Sequence, residues 1–183
     1  AFLVGFCMTK SLKRPDLALP ALLLVFGSPV LCALLTRRGR SFQSLAAEKK
    51  TSGSQISFKI VDACIMSGLE SILKLGCYII LFSMLARLLM GIPCPFPALT
   101  CALVGILEIT NGISLTARTA LPLWLSFALI LGGASFGGLS GFAQTQSMIQ
   151  DSGLSLSSYL KAKLLTAAFV TVSALLVCRF FLK

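Results

Sequence analysis

The chain has no histidine, six acidic residues and one tryptophan in 183 positions. Charged residues make up 12% of it, against ~25% in ordinary soluble domains, while 56% are hydrophobic. Without histidine, imidazole-based catalytic triads and the usual His-containing zinc sites are excluded. No C-x-x-C pair occurs among the seven cysteines. Cys7, Cys32, Cys64, Cys77, Cys101 and Cys178 stand in or beside apolar stretches, where they read as small buried hydrophobes rather than a disulfide framework. So little charge, clustered away from long apolar runs, excludes a soluble globule, a disordered tail and a fibrous repeat. The remaining class is an all-α integral membrane protein.

What charge there is has one sign. Sixteen basic residues give a formal net charge of +10, which raises nucleic-acid binding as a possibility to test. The distribution argues against it. Lys10, Lys13 and Arg14 flank one apolar run, and Arg37, Arg38, Arg40, Lys49, Lys50 and Lys59 lie in and around one polar linker. Lys161 and Lys163 stand at the mouth of the last apolar run. Basic residues so placed are topological anchors, and no nucleic-acid partner is expected. The chain opens at Ala1 inside an apolar run with no basic stretch before it. No signal peptide is expected, and the chain reads as a piece of a longer protein.

Residues 1–8 are too short to span a bilayer and read as the end of a preceding span. Leu17 to Thr36 is the first full candidate, with Pro20 and Pro29 expected to kink it. Residues 37–55 are basic, polar and rich in Ser and Gly, as a cytoplasmic linker would be. From Ile56 to Gly76 an amphipathic pattern carries Asp62, Glu70 and Lys74. It reads as a helix entering along the interface, with a Glu70–Lys74 i,i+4 pair, followed by a span from Leu75 to Met90. Arg87 can snorkel from the far end of that span. Pro93, Pro95 and Pro97 break the chain. Apolar blocks follow at 98–118, 120–150 and 156–182, and Ser155 or Ser157 can cap the last one. Trp124 and Tyr159 read as interfacial anchors. No internal repeat is visible. The domain reading is therefore 1–36 as a connecting helix with the end of a preceding half, 37–55 as linker and 56–183 as one transmembrane domain.

Two segments depart from ordinary spans. In Gly105-Ile-Leu-Glu-Ile-Thr-Asn-Gly112, Glu108 is a carboxylate at membrane depth, with Thr110, Asn111 and Ser114 near it in sequence. Such residues are costly there and face a protein interior or a cavity. Glycines on both sides, Gly105 and Gly112, allow the helix to stop and turn. The plainer reading is a carboxylate that ties two helices together. The second segment, 132–143, is built of small residues and contains Gly132, Gly133, Gly137, Gly138 and Gly141. It runs into Gln144-Thr-Gln-Ser147. Tight helix packing would use one or two of these glycines. Five of them followed by polar residues fit a discontinuous helix whose half-helix end faces a substrate. Ser114, Ser140 and Ser147 have no base to activate them and no phosphate-binding loop is present, so an enzyme is not expected. No metal site or cofactor is expected either.

GILEITNG, followed by GGASFGGLSGFAQTQSMIQDSGLSLSSYLKAKLL, resembles the nucleoside-recognition or "gate" domain of the sporulation integral membrane protein family of the YlbJ type. The resemblance covers most of the chain: 1–36 is similar to the segment joining that family's two halves, and 56–182 to its second half. More distantly, the chain is similar to the concentrative nucleoside transporters, with Glu108 in the place of an acid on a re-entrant hairpin. Gln144 and Ser147 stand in the place of an Asn/Ser pair on a broken helix, Gln having replaced Asn. The resemblance implies a polytopic helical bundle with a re-entrant hairpin and a discontinuous transmembrane helix, one half of an inverted-repeat transporter-like fold. It also implies a bacterial cell membrane, the inner forespore membrane in the sporulating case, and passage of dipicolinate-like or nucleoside-like molecules. Either 98–118 is the hairpin and 120–150 a broken crossing, or the two are exchanged.

The substrate-binding set expected on this reading is Glu108, Thr110, Asn111, Gln144 and Ser147, with a proton or sodium ion for coupling. The partners are then the lipid bilayer, a small-molecule substrate, the N-terminal half of the same chain and, in some arrangements, a second copy. The rival reading is a non-transporting membrane scaffold or assembly subunit.

Overall fold

The computed structural model describes residues 15–36, 57–149 and 154–181. The predicted span end at 1–8, all of the basic linker 37–55 and residues 150–153 lie outside them. Helix α1 (Ala18–Thr36) is entered through a 3-10 turn, Pro15–Leu17. Pro20 falls in the first turn of α1, where a missing N–H breaks no bond. The helix continues through Pro29, as membrane helices can where neighbouring groups satisfy the freed carbonyl.

Helix α2 (Phe58–Met90) is one uninterrupted helix of 33 residues, so the expected division into an interfacial helix and a separate span from Leu75 is corrected. No proline lies within it, and isolated glycines such as Gly76 cost only about 1 kcal/mol each. At ~1.5 Å per residue it reaches roughly 50 Å, against ~30 Å of hydrocarbon. A straight helix can thus keep roughly its first dozen residues, Lys59 and Asp62 among them, outside the apolar layer. The Glu70–Lys74 pair forms at 2.7 Å, exposed on this helix.

Gly91 caps α2, and α3 (Pro97–Leu107) begins with Pro97 in its first turn. Helix α4 (Ile109–Arg118) follows after the single extended residue Glu108. Helices α5 (Leu123–Phe136) and α6 (Gly138–Ile149) are separated at Gly137. Helix α7 (Leu156–Phe181) starts at Ser155, whose hydroxyl accepts the Ser158 N–H at 3.3 Å.

The sequence of α5 is apolar on all sides, and a helix of that kind must be buried or span a membrane. It lies at the centre, with α7, α1 and α4 packed on it. Leu17, Ala21, Ile113, Phe127, Ile130, Leu131, Val170, Ala174 and Cys178 form the shared core. Helix α2 lies at the margin against α3 and α6, and Ala86 is its one buried residue. Its outer faces carry exposed Ile, Leu and Met side chains. Four helical stretches, 15–34, 58–90, 123–149 and 156–180, are long and apolar enough to cross a membrane. No strand occurs among the described residues. The chain is an all-α polytopic integral membrane protein.

Two expectations about single side chains are corrected. Cys101 and Cys178 are buried, but Cys64 and Cys77 are exposed, because α2 has a partner on one side only. Trp124 is 49% exposed, in keeping with an anchor, whereas Tyr159 packs inward against Phe142 with ring centroids 6.3 Å apart.

The order of the two unusual segments is settled by packing. Cys101 Sγ lies 3.6 Å from Thr119 Oγ1, and the backbones of Gly105 and Gly112 touch. Helices α3 and α4 are therefore antiparallel arms, about 15 Å each, and their outer ends lie together. Helices α5 and α6 do not pack side by side in this way. Residues 97–118 form the hairpin, and 123–149 is a long helical segment with a break.

Candidate functional site

The site begins with two helix interruptions and the reason each occurs. In the hairpin the interruption is Glu108 itself, with extended backbone at φ −143° and ψ 118°. Its carboxylate caps α4: Oε1 accepts the Thr110 N–H at 3.1 Å, and Oε2 accepts the Asn111 N–H at 2.8 Å. Oε2 also accepts the Thr110 hydroxyl and, at 2.9 Å, the Asn111 amide Nδ2. A helix start leaves N–H groups without intrahelical partners, and a carboxylate there satisfies them while facing the positive end of the helix dipole. This is how a carboxylate only 3% exposed is accommodated.

In the second segment the interruption falls at Gly137 and Gly138, with φ of +86° and +74°. Two successive left-handed residues end α5 and restart the chain as α6, a conformation that costs non-glycine residues about 1–2 kcal/mol each. Gly132 and Gly133 lie inside α5 and Gly141 inside α6. Gly105 and Gly112 likewise lie within α3 and α4. Of the seven glycines expected at the breaks, two form one. The others that the structure explains serve close approach: a Cβ on Gly112 would lie 2.2 Å from Gly105 Cα, and one on Gly133 would lie 2.8 Å from Ile109 Cδ1.

The two interruptions meet. A Cβ on Gly138 would stand 3.2 Å from the Ile109 nitrogen and 3.4 Å from the carbonyl oxygens of Gly105 and Leu107. Four half-helix ends, two of each polarity, thus converge inside the helix bundle. One flank of the junction is an apolar cleft of about 610 Å³ bounded by Ile109, Gly133, Phe136, Trp124 and Leu164, with little to hold a polar molecule. The flank toward α2 is polar, and there Asn111 Nδ2 also donates to Ser83 Oγ at 3.0 Å.

Of the expected site residues, Glu108, Thr110 and Asn111 are brought together by direct bonds. Gln144 and Ser147 form a second group on α6. Gln144 Nε2 donates to the buried Ser140 hydroxyl at 3.0 Å, and the Ser147 hydroxyl donates to the Gln144 carbonyl at 2.8 Å. Ser147 opens onto a cleft of about 460 Å³ with Glu70, Lys74, Cys77 and Tyr78 of α2. That level is two to three turns of α2 away from Ser83, roughly 10–15 Å. The two polar groups share the α2 flank at different depths.

Sequence reasoning missed Ser83, which nothing in its apolar surroundings marks. It also placed Lys163 at the mouth of the last span. Instead Lys163 Nζ donates to the Ser135 carbonyl at 3.4 Å, beside the second break, and stands 5.8 Å from the centre of the Tyr159 ring. The i,i+4 spacing of Tyr159 and Lys163 was the available signal. Among the described residues no three His, Cys, Asp or Glu side chains gather as a metal site would require.

Compared with protein-family models, curated proteins and solved structures, the chain matches none.

Proposed function

We propose that the chain is one half of a secondary transporter that moves a small polar or anionic metabolite through the junction of the two helix breaks. The observation that carries this reading is the packing of Gly138 against Gly105, Leu107 and Ile109. Secondary transporters of inverted-repeat construction place their sites where discontinuous helices expose half-helix ends near the midplane. One hairpin and one broken helix make one such set, and a second, inverted set from the other half of the protein would complete the site. Asn111 and Thr110 at the hairpin tip would supply amide and hydroxyl contacts at the junction, and Gln144 and Ser147 on α6 would line the approach to it at another depth. Glu108 would hold the tip in shape through its cap on α4. The resemblance to the sporulation family favours a dipicolinate-like or nucleoside-like substrate and a bacterial membrane.

The test is uptake by the complete parent protein in proteoliposomes, offered nucleosides and small aromatic dicarboxylates including dipicolinate. Saturable uptake that Glu108→Gln abolishes supports the proposal. No uptake of any of them by folded protein overturns it in favour of the scaffold reading. One observation favours that second reading: among the described residues the donors to the Glu108 carboxylate come from Thr110 and Asn111 alone, as in a purely structural cap. In a scaffold, Glu108→Gln and Gln144→Ala would lower function and membrane abundance together; in a transporter function falls while abundance stays.

A further inference from the structure

The carbonyl end of α5 already holds a cation. The last carbonyls of a helix have no intrahelical acceptor role left to fill and carry the negative end of its dipole. In ion-coupled transporters, such half-helix carbonyl ends coordinate sodium. Here the Gly133 carbonyl accepts the Gly137 N–H at 2.8 Å, and the Ser135 carbonyl accepts from Lys163 Nζ at 3.4 Å. The same ammonium faces the Tyr159 ring at 5.8 Å, and a ring face attracts cations. It would lie 4.0 Å from a Cβ on Gly137, so it reaches the break itself. Tyr159 is in turn held by Phe142 and by Thr145, whose hydroxyl donates to the Gly141 carbonyl at 2.9 Å and accepts from the Tyr159 hydroxyl at 3.3 Å. Beside the ammonium's carbonyl partner, Ser135 is 6% exposed and its hydroxyl has no hydrogen-bond partner among the described residues. Lys161, two residues away, is exposed and does the ordinary work of an anchor.

We infer that the Lys163 ammonium is a tethered cation standing where a coupling sodium ion would bind, so that the break between α5 and α6 works without sodium. This deepens the transporter reading and rests on it for its functional meaning: coupling at this break does not use sodium. Lys163 acts here as a positioning residue for the broken helix.

The experiment is thermal unfolding of the purified full chain in detergent, comparing sodium chloride with choline chloride at matched ionic strength. No substrate is needed, so its failure is separate from failure of the transport assay. The wild type is expected to give the same midpoint in both salts. Lys163→Ala should unfold about 2–4 °C lower in choline, and sodium or methylammonium should restore the midpoint saturably. Lys163→Arg and Lys161→Ala should behave as wild type. Where Lys163→Ala does not accumulate, Lys163→Met keeps the stem over Tyr159 and is read in the same way. A saturable, sodium-specific rise in the wild-type midpoint overturns the inference, as does a Lys163 variant no more cation-sensitive than wild type.

Discussion

Gly105 and Gly112 bring the two arms of the hairpin into backbone contact: a Cβ on Gly112 would fall 2.2 Å from Gly105 Cα and 2.6 Å from its nitrogen. Nothing flexible stands in the way that could move aside. Gly112→Ala should therefore splay the hairpin and sharply reduce the folded, membrane-inserted fraction. The contact is asymmetric. A Cβ on Gly105 meets Gly112 Cα at 3.7 Å, an ordinary distance, so Gly105→Ala should be much milder. Gly141, with nothing within 4 Å, should accept alanine with a gain of about 0.5–1 kcal/mol. Thermal unfolding of the three variants in detergent ranks them, and an equal effect of Gly112→Ala and Gly141→Ala would contradict the close approach.

The second break separates two glycines that look alike in sequence. Both have positive φ, which asparagine tolerates better than other side chains. Around Gly137 the nearest atom to an added Cβ is 4.0 Å away, whereas at Gly138 it is the Ile109 nitrogen at 3.2 Å. Gly137→Asn should keep the fold and Gly138→Asn should not, by fluorescence-detected size exclusion. Equal behaviour would mean the two breaks do not abut.

Glu108 caps α4 through both oxygens, and its removal leaves buried donors unpaired. Glu108→Ala should destabilise the protein by about 1–3 kcal/mol. Thr110→Val, which removes one hydroxyl donor and leaves the backbone bonds, should cost less. Unfolding midpoints of the two variants check the order, and a midpoint for Glu108→Ala equal to wild type would remove the cap from the account.

The outer ends of the hairpin can be tested chemically. Cys101 Sγ and Thr119 Oγ1 are 3.6 Å apart, near enough that Thr119→Cys should form a disulfide with Cys101 on mild oxidation. In a background with the other cysteines replaced by serine, intact mass reports the loss of two hydrogen atoms to the oxidant. Absence of the bond under conditions that oxidise a surface pair would argue for two separate crossings instead of a hairpin.

Much of this was legible in the residues. The run of apolar blocks, the prolines from 93 to 97 and a serine cap at Ser155 or Ser157 placed the helices α1, α3, α5 and α7 within a few residues. They did so because helix boundaries follow local chemistry: apolar length, proline, and a hydroxyl before the first turn. The polar cluster from Glu108 to Asn111 was also visible, since a carboxylate at membrane depth has few explanations. The amphipathic pattern before Leu75 suggests an interfacial helix ahead of the span, whereas α2 runs unbroken from Phe58 to Met90. A helix needs no break to carry charge at one end if it is long enough to leave the membrane.

What the sequence by itself determined is the class of molecule and the two places where helices stop, because these depend on transfer free energies and backbone preferences that act locally. Only the tertiary structure decided which glycines break the chain and which admit a neighbouring backbone, since composition is the same in both cases and only the φ angle and the facing atoms differ. It also decided that α3 and α4 fold back on one another, that Gly138 rests on Ile109, and that Lys163 turns inward to the Ser135 carbonyl while Lys161 stays outside. Each of these joins residues distant in the chain, and their pairing is set by which surfaces pack together, information that no local spacing contains.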